Sequence, residues 1–240
     1  MTPSVLNRPA NQVDGDNAAW IRKLEARASA RYAWHYEPVM AAGKRRRFAS
    51  ATCPDDLLVA ATKRQEAGEQ GVEEPFWATV WQAAVGLDWF IETFDLPGRQ
   101  VLELGAGTGR AGLAAALRGA EVTITDGMTD PLLLAQLSTW DLPNCHVRRL
   151  RWGEEQLDRK FSLILGSDVT YNRKFWTELE VAMRQHLEPG GVILFSDPCR
   201  LIANEFRDWI GPRGWSYSES HVPHCQDAHR SIRIMQLRLA

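Results

Sequence analysis

From Arg99 onward the hydrophobic positions follow two alternating rhythms. Short apolar runs at Gln100–Leu104, Val122–Thr125, Val147–Leu150, Phe161–Gly166 and Gly191–Ser196 have the length and composition of buried strands. Between and after them, Arg110–Arg118, Pro131–Trp140, Lys174–Leu187 and Leu201–Ile210 carry apolar residues at helical spacing. Such alternation predicts a parallel sheet with helices on its faces. The last two apolar segments, Trp215–Ser220 and Ser231–Leu239, follow one another with no helix between them, which predicts an antiparallel pair. The expected fold is α/β: a doubly wound, seven-stranded, mostly parallel sheet with a terminal antiparallel hairpin.

Before Arg99 the pattern is less regular. Residues 1–16 are polar and proline-containing and read as a loose arm. Ala18–Tyr36 reads as a helix on the spacing of Trp20, Leu24 and Ala28. Lys44–Ala61 has strand character, in Arg47–Thr52 and in Leu57–Ala60, broken at Pro54. A polar loop, Thr62–Glu74, precedes a helix over Thr79–Phe94 that stops at Leu96-Pro97-Gly98. The expected division is an N-terminal, substrate-facing extension over 1–74 and one domain over 75–240.

Where the first strand of that domain ends, in Val101-Leu-Glu-Leu-Gly-Ala-Gly-Thr-Gly-Arg110, three glycines stand at alternate positions and a helix begins at once. Glycine lets the backbone turn tightly and lets a ligand touch the main chain. The following helix presents free N–H groups to that ligand. The next strand ends at Asp126, a carboxylate suited to the two hydroxyls of a ribose. These residues predict a nucleoside-cofactor site at the carboxyl ends of the strands. Two motifs overlap there. Gly107, Gly109 and Gly112 satisfy the G-x-G-x-x-G of dinucleotide sites. Glu103, Gly105, Gly107 and Gly109 satisfy the E-x-G-x-G-x-G pattern of S-adenosylmethionine (SAM) enzymes. A carboxylate at Glu103 is unhelpful beside a pyrophosphate and useful near the aminoacyl and sulfonium end of SAM. The terminal strand pair, in place of a further strand–helix unit and a separate catalytic domain, also favours SAM.

Composition adds a few limits. A chain of 240 residues has room for one large domain and an extension. Lys plus Arg number 28 against 30 Asp plus Glu, so no global field draws the chain to nucleic acid or membrane. No apolar run reaches the roughly 20 residues of a spanning helix, and the N-terminus lacks the apolar core of a signal peptide. Cys53, Cys145, Cys199 and Cys225 form no C-x-x-C pair, which suits a reducing, cytoplasmic setting. The expectation is a cytoplasmic monomer with neither nucleic acid nor membrane as a partner.

Five segments carry a family resemblance: Pro75-Phe-Trp-Ala-Thr-Val-Trp81, the glycine motif, Leu150-Arg-Trp-Gly153, Gly166-Ser-Asp-Val-Thr-Tyr171 and Asp197-Pro-Cys-Arg200. Together they resemble the class I, seven-strand "family 16" protein methyltransferases, most of them lysine-specific. The hallmark Asp-x-x-Tyr after the fourth sheet strand is met by Asp168 and Tyr171. The aromatic segment and the Asp-Pro-x-Arg element look most like the branch that methylates lysines of the electron-transfer flavoprotein β subunit. Gln82 departs from that branch, which often has proline there. The resemblance implies a Rossmann-like fold, SAM as cofactor and a lysine-bearing protein as substrate.

Each candidate has a chemical reason and a plain structural alternative. Trp152 follows the third strand, where an adenine would stack on an indole; a core tryptophan is the alternative. Trp77 and Trp81 are four apart at a helix start and would share a face. In the resembling family this segment covers the methionine end of the cofactor, which assigns Trp81 to the cofactor and Trp77 to the substrate side or to the core. Gly105, Ala106, Gly107, Asp126 and Ser167, with Glu103, complete the cofactor set. Asp168 and Tyr171 are the catalytic candidates. Holding a lysine amine neutral at physiological pH costs roughly 4 kcal/mol. A carboxylate can orient and desolvate the ammonium, and a tyrosine can fix the lone pair while its ring favours a cationic neighbour. A turn aspartate beside a buried tyrosine is the alternative. Asp197 and Arg200 are expected on the substrate side, with Arg200 pairing either with Asp197 or with a substrate carboxylate.

His221, His224, Cys225 and His229 have ligand chemistry but match no zinc spacing, and no metal site is assigned to them. Lys44-Arg-Arg-Arg47 reads as a solvated strand end. Asp168-Val-Thr-Tyr171 lacks the two prolines that nucleic-acid amino methyltransferases usually carry there. Three rival functions stay open: a small-molecule N- or O-methyltransferase, a SAM-binding regulator without turnover, and an NAD(P) enzyme using the overlapping fingerprint.

Overall fold

The computed structural model describes the backbone of residues 14–240; the arm expected over 1–16 lies outside the described residues except for the last three, which open the first helix. That helix, α1 (Asp14–Ser29), is followed by a hairpin of β1 (Trp34–Ala41) and β2 (Lys44–Ala51). The helix expected to run to Tyr36 therefore stops at Ser29. The residues beyond it pair strand to strand in unbroken register, from Trp34↔Ala51 to Ala41↔Lys44. Ala42 and Gly43, at φ 51° and 69°, make the reversal, the two-residue geometry that matches the twist of antiparallel strands. The strand expected at Leu57–Ala60 is instead part of a helix, α2 (Pro54–Glu66). Pro54, Asp55 and Asp56 stand in its first turn and Lys63 and Arg64 in its last, so both ends complement the helix dipole.

The remaining elements follow the predicted alternation. They are α3 (Gln82–Ile91), β3 (Gln100–Glu103), α4 (Arg110–Leu117), β4 (Glu121–Asp126), α5 (Thr129–Thr139), β5 (Cys145–Arg149), β6 (Phe161–Ser167), α6 (Trp176–His186), β7 (Leu187–Asp197), α7 (Leu201–Ile210), β8 (Trp215–Pro223) and β9 (Ser231–Leu239). The seven strands β3 to β9 form one sheet in the order β5-β4-β3-β6-β7-β9-β8. β9 runs antiparallel to both β7 and β8, and the other pairs are parallel.

Strand side chains alternate between the two faces. Val101, Val122 and Leu163 meet Leu87, Ala111 and Leu132 of α3, α4 and α5 on one side. Leu102, Ile164 and Phe195 meet Leu179, Ala203 and Phe206 of α6 and α7 on the other. No helix among the described residues is long and apolar enough to cross a membrane.

The N-terminal hairpin is held on the side of α3, α4 and α5. Buried Asp88 of α3 pairs with Arg110 at 3.0 Å and Arg118 at 2.5 Å, and accepts the Ala42 N–H at 3.2 Å. Arg110 also donates to the Met40 carbonyl, and Ser138 of α5 accepts the Ala49 N–H at 2.9 Å. With the hairpin docked there, the carboxyl ends of β3, β4 and β6 stay open. β4 and β5 lie on one side of β3 and β6 and β7 on the other, so the strand order reverses where α/β sheets hold their ligands.

Candidate active site

At this reversal lies a cleft of about 600 Å³, walled by the strand ends and by residues from Glu73 to Ala84. Its volume suits a small-ligand site. β3 runs into Gly105, Gly107 and Gly109, at φ 57°, 54° and 80°, the left-handed region that glycine adopts without steric cost. A Cβ on Gly105 would lie 2.9 Å from Cζ2 of Trp152, so the bare backbone there also admits the indole edge. Asp126 shapes the loop: Oδ2 accepts the Gly107 N–H at 2.8 Å and Oδ1 the Met128 N–H at 2.9 Å. Both oxygens retain acceptor capacity, and Asp126 lines the cleft. Burial pushes it up to about 6, against the opposing pull of these amides.

Trp77, Trp81, Gly105, Ala106, Gly107, Asp126, Trp152, Ser167, Asp168 and Tyr171 all line this one cleft. Trp152 leaves its indole N–H without a partner among the described residues. Trp77 and Trp81 do not share a helix face. Residues 76–78 form a single 3-10 turn, Thr79 and Trp81 are extended, and α3 begins only at Gln82. Trp77 is buried against Tyr32, with ring centroids 5.2 Å apart. Trp81 is partly exposed and donates its indole N–H to the Phe76 carbonyl at 3.0 Å.

Three residues expected at the site from the sequence, Glu103, Asp197 and Arg200, do not line this cleft. Glu103 is not part of the cleft wall. It is fully buried beneath the glycine loop and accepts the Gly112 N–H at the start of α4. Asp197 is likewise fully buried and outside the wall; its Oδ1 accepts the backbone N–H of Arg200 at 2.8 Å. The Arg200 side chain pairs with neither Asp197 nor the cleft space. Its Nη2 donates to Oδ2 of Asp168 at 2.6 Å, and its guanidinium carbon lies 5.5 Å from the Trp81 ring centroid.

Asp168 follows β6 in a left-handed backbone conformation, φ 55°, uncommon for a residue with a side chain. Its N–H is tied to the Ser196 carbonyl of β7 at 2.8 Å. With Oδ2 on Arg200, Oδ1 has no partner among the described residues. Burial pushes this carboxyl up to about 6; Arg200 opposes the rise and Asp197 adds to it. Tyr171 is edge-on to Phe76, with centroids 5.9 Å apart and planes at 85°. Burial, with Asp126, Asp168 and Glu74 nearby, holds its hydroxyl above the ordinary value and so protonated.

Sequence reasoning missed Glu73, Glu74, Phe76 and Arg110 as cleft residues. Phe76 sits inside an aromatic segment already singled out, and Arg110 directly follows the glycines. Glu73 and Glu74 carried no signal beyond their polar surroundings. The histidine cluster lies in and around the β8–β9 hairpin. His221 stands opposite Arg233, His224 N–H donates to Arg230 at 3.1 Å, Cys225 donates to Gln82, and Asp227 accepts the His229 N–H at 2.9 Å. Among the described residues no three His, Cys, Asp or Glu side chains converge as a metal site.

A family model described as lysine methyltransferase matches residues 62–205. The protein N-lysine methyltransferase METTL21A of Mus musculus is 35% identical over 164 residues, 63% of this chain and 74% of that protein. The METTL21A of Danio rerio is 38% identical over 165 residues, again 63% and 74%. The EEF1A lysine methyltransferase 3 of Mus musculus is 36% identical over 133 residues, 51% of this chain and 56% of that protein. Among solved structures, the glycopeptide N-methyltransferase MtfA complexed with SAM aligns with a TM-score of 0.56 at 16% identity, over 66% of this chain and 94% of that chain. At that identity the likeness is one of fold.

Proposed function

The chain belongs to the lysine methyltransferase family, and we propose that it is a SAM-dependent enzyme that methylates a lysine side chain of a protein. The observation that carries this reading is the convergence on one cleft of a glycine loop held by Asp126 and of a buried carboxylate, Asp168, with an unpartnered oxygen. The acceptors named for METTL21A and the EEF1A enzyme support a protein lysine over a metabolite.

The residues present fit SAM. Asp126 retains acceptor capacity for a ribose diol, and Trp152 offers an indole whose N–H is unpartnered. Gly105, Ala106, Gly107, Ser167 and Trp81 would complete its surroundings, with Trp77 as the packed floor. SAM supplies, when bound, a methyl group on a positively charged sulfur. Asp168 accepts a hydrogen bond from the incoming nitrogen. Tyr171 donates or accepts at the same nitrogen, and its ring with Phe76 and Trp81 favours a cation there. Holding the amine and the methyl carbon in line supplies the larger share of the rate.

Glu73 and Glu74 are the described residues of the first 74 that line the cleft; Glu73 is paired with Arg151 at 3.0 Å, which leaves Glu74 to offer negative charge to a basic segment. Four free cysteines support a reducing, cytosolic setting. The test is incubation with isotope-labelled SAM and a lysate, followed by mapping of the label. Methyl groups on protein lysine are expected. Label confined to small molecules, or none despite bound S-adenosylhomocysteine, would overturn the reading.

A further inference from the structure

A carboxylate beside a lysine has an awkward sign. Alone, it stabilises the ammonium and opposes the proton loss that frees the nitrogen lone pair. Asp168 is not alone: Arg200 is the cation within ion-pair distance of it among the described residues, at 2.6 Å. We propose that Arg200 is a positioning residue for methyl transfer, which satisfies the charge of Asp168 through one oxygen so that the other can orient the lysine nitrogen without holding it protonated. The inference rests on the lysine-methylation reading above.

Three contacts set Arg200 in place. Its backbone N–H is held by Asp197, its guanidinium by Asp168, and its charge lies over Trp81. Cys199, just before it, has φ 62°, a strained conformation that persists only where surrounding contacts impose it. An arginine stays charged at every working pH, whereas a lysine or histidine in its place is open to neutralisation. Asp197 from β7, with Arg233 of β9 behind it, and Tyr171 from the β6–α6 loop face the pair; Asp126 from β4 and Glu74 from the entry segment face Tyr171 in turn, and Arg110, Arg151 and Lys174 line the same cleft. The other charge acting on Asp168 is a second carboxylate, Asp197, so losing Arg200 leaves Asp168 with no cation within ion-pair distance among the described residues and free to hold the proton of an incoming ammonium. In the reaction that proton goes to water. The nitrogen lone pair then forms the bond to the methyl carbon, and the carbon–sulfur electron pair stays on sulfur.

The test compares wild type, Arg200→Met and Arg200→Lys in the full chain. Initial rates of methyl transfer from labelled SAM to lysate protein lysines are followed from about pH 6 to about pH 10. For Arg200→Met, the midpoint of the rise with pH should move up by about one unit or more, a roughly tenfold rate loss near neutrality that shrinks in alkali. Arg200→Lys should keep the wild-type midpoint while its ammonium remains charged. Calorimetric S-adenosylhomocysteine affinity reports whether each variant is folded. Should Arg200→Met not fold, Arg200→Gln takes its place, with Arg200→Lys as its control. A loss equal at all pH with an unmoved midpoint, or no loss, overturns the role of Arg200 and leaves the function standing. A wild-type protein that labels no lysine overturns both.

Discussion

Glu103 fills the space that Gly112 leaves open. A Cβ on Gly112 would lie 2.5 Å from Oε2 of Glu103, and the Gly112 N–H donates to that same oxygen at 2.9 Å. The carboxyl is fully buried, and its Oε1 has no partner among the described residues. Burial pushes it up to about 8, against the pull of the Gly112 and Ala111 amides. Glu103 thus supports the start of α4 from beneath the loop.

A pH dependence of stability follows. Folded Glu103 keeps its proton up to about 8, whereas the unfolded chain releases it near 4.5. The folded state binds more protons inside that window. The group's stabilisation is therefore complete below the lower value and is lost as pH rises toward the upper one. Glu103→Gln keeps an oxygen for the Gly112 N–H and removes the titration. Its melting temperature should fall less than that of wild type between about pH 5 and about pH 8. Thermal unfolding across that range, with parallel curves for the two proteins, would rule out a protonated Glu103.

Asp168 is expected to act on the incoming nitrogen more than on the cofactor. Asp168→Ala should lower single-turnover methyl transfer by about 10²-fold or more with S-adenosylhomocysteine affinity little changed. Tyr171→Phe should lose less, because the ring remains beside Phe76. Calorimetry run beside the kinetics separates the two effects. Abolished cofactor binding in Asp168→Ala would move that residue to the cofactor site.

Asp126 accepts hydrogen bonds best when ionised, and burial pushes it up to about 6. Cofactor affinity should accordingly decline as pH falls through that value. Asp126→Asn should weaken S-adenosylhomocysteine binding by roughly 10- to 150-fold near neutrality, the scale of one lost charge-assisted hydrogen bond. Isothermal titration at several pH values checks both. A wild-type affinity that stays flat down to about pH 5 contradicts the ribose role.

Asp88 neutralises two arginines at the base of the N-terminal hairpin, and its side chain is only 3% exposed. Asp88→Ala leaves the buried Arg110 and the part-exposed Arg118 without their acid, at a cost of roughly 3–5 kcal/mol. Denaturant unfolding should show that loss, and amide exchange should speed up over residues 34–51, whose Ala42 N–H also bonds to Asp88. A stable variant with an unchanged hairpin would show that the apolar packing of Phe48 and Ala49 suffices.

The sequence by itself determined the sheet and the glycine loop. A strand or helix buried on a face must repeat its apolar residues at its own period, so all seven sheet strands and α7 were legible from spacing. A positive φ at Gly105, Gly107 and Gly109 is a local demand that shows in residue type. The tertiary structure decided whatever depends on a partner distant in the chain. β1 is a strand because it pairs with β2, and that hairpin docks on Asp88, Arg110 and Ser138, none of which its own residues announce. Trp77 and Trp81 reach one cleft through a 3-10 turn and extended residues, a route their spacing did not disclose. Asp197 was the local choice for Arg200. Once β6 and β7 pair side by side, Asp168 stands within reach of the guanidinium although 32 residues away in sequence. Periodicity reports what a residue turns toward the core, and the neighbour it meets there depends on which strands the fold sets together.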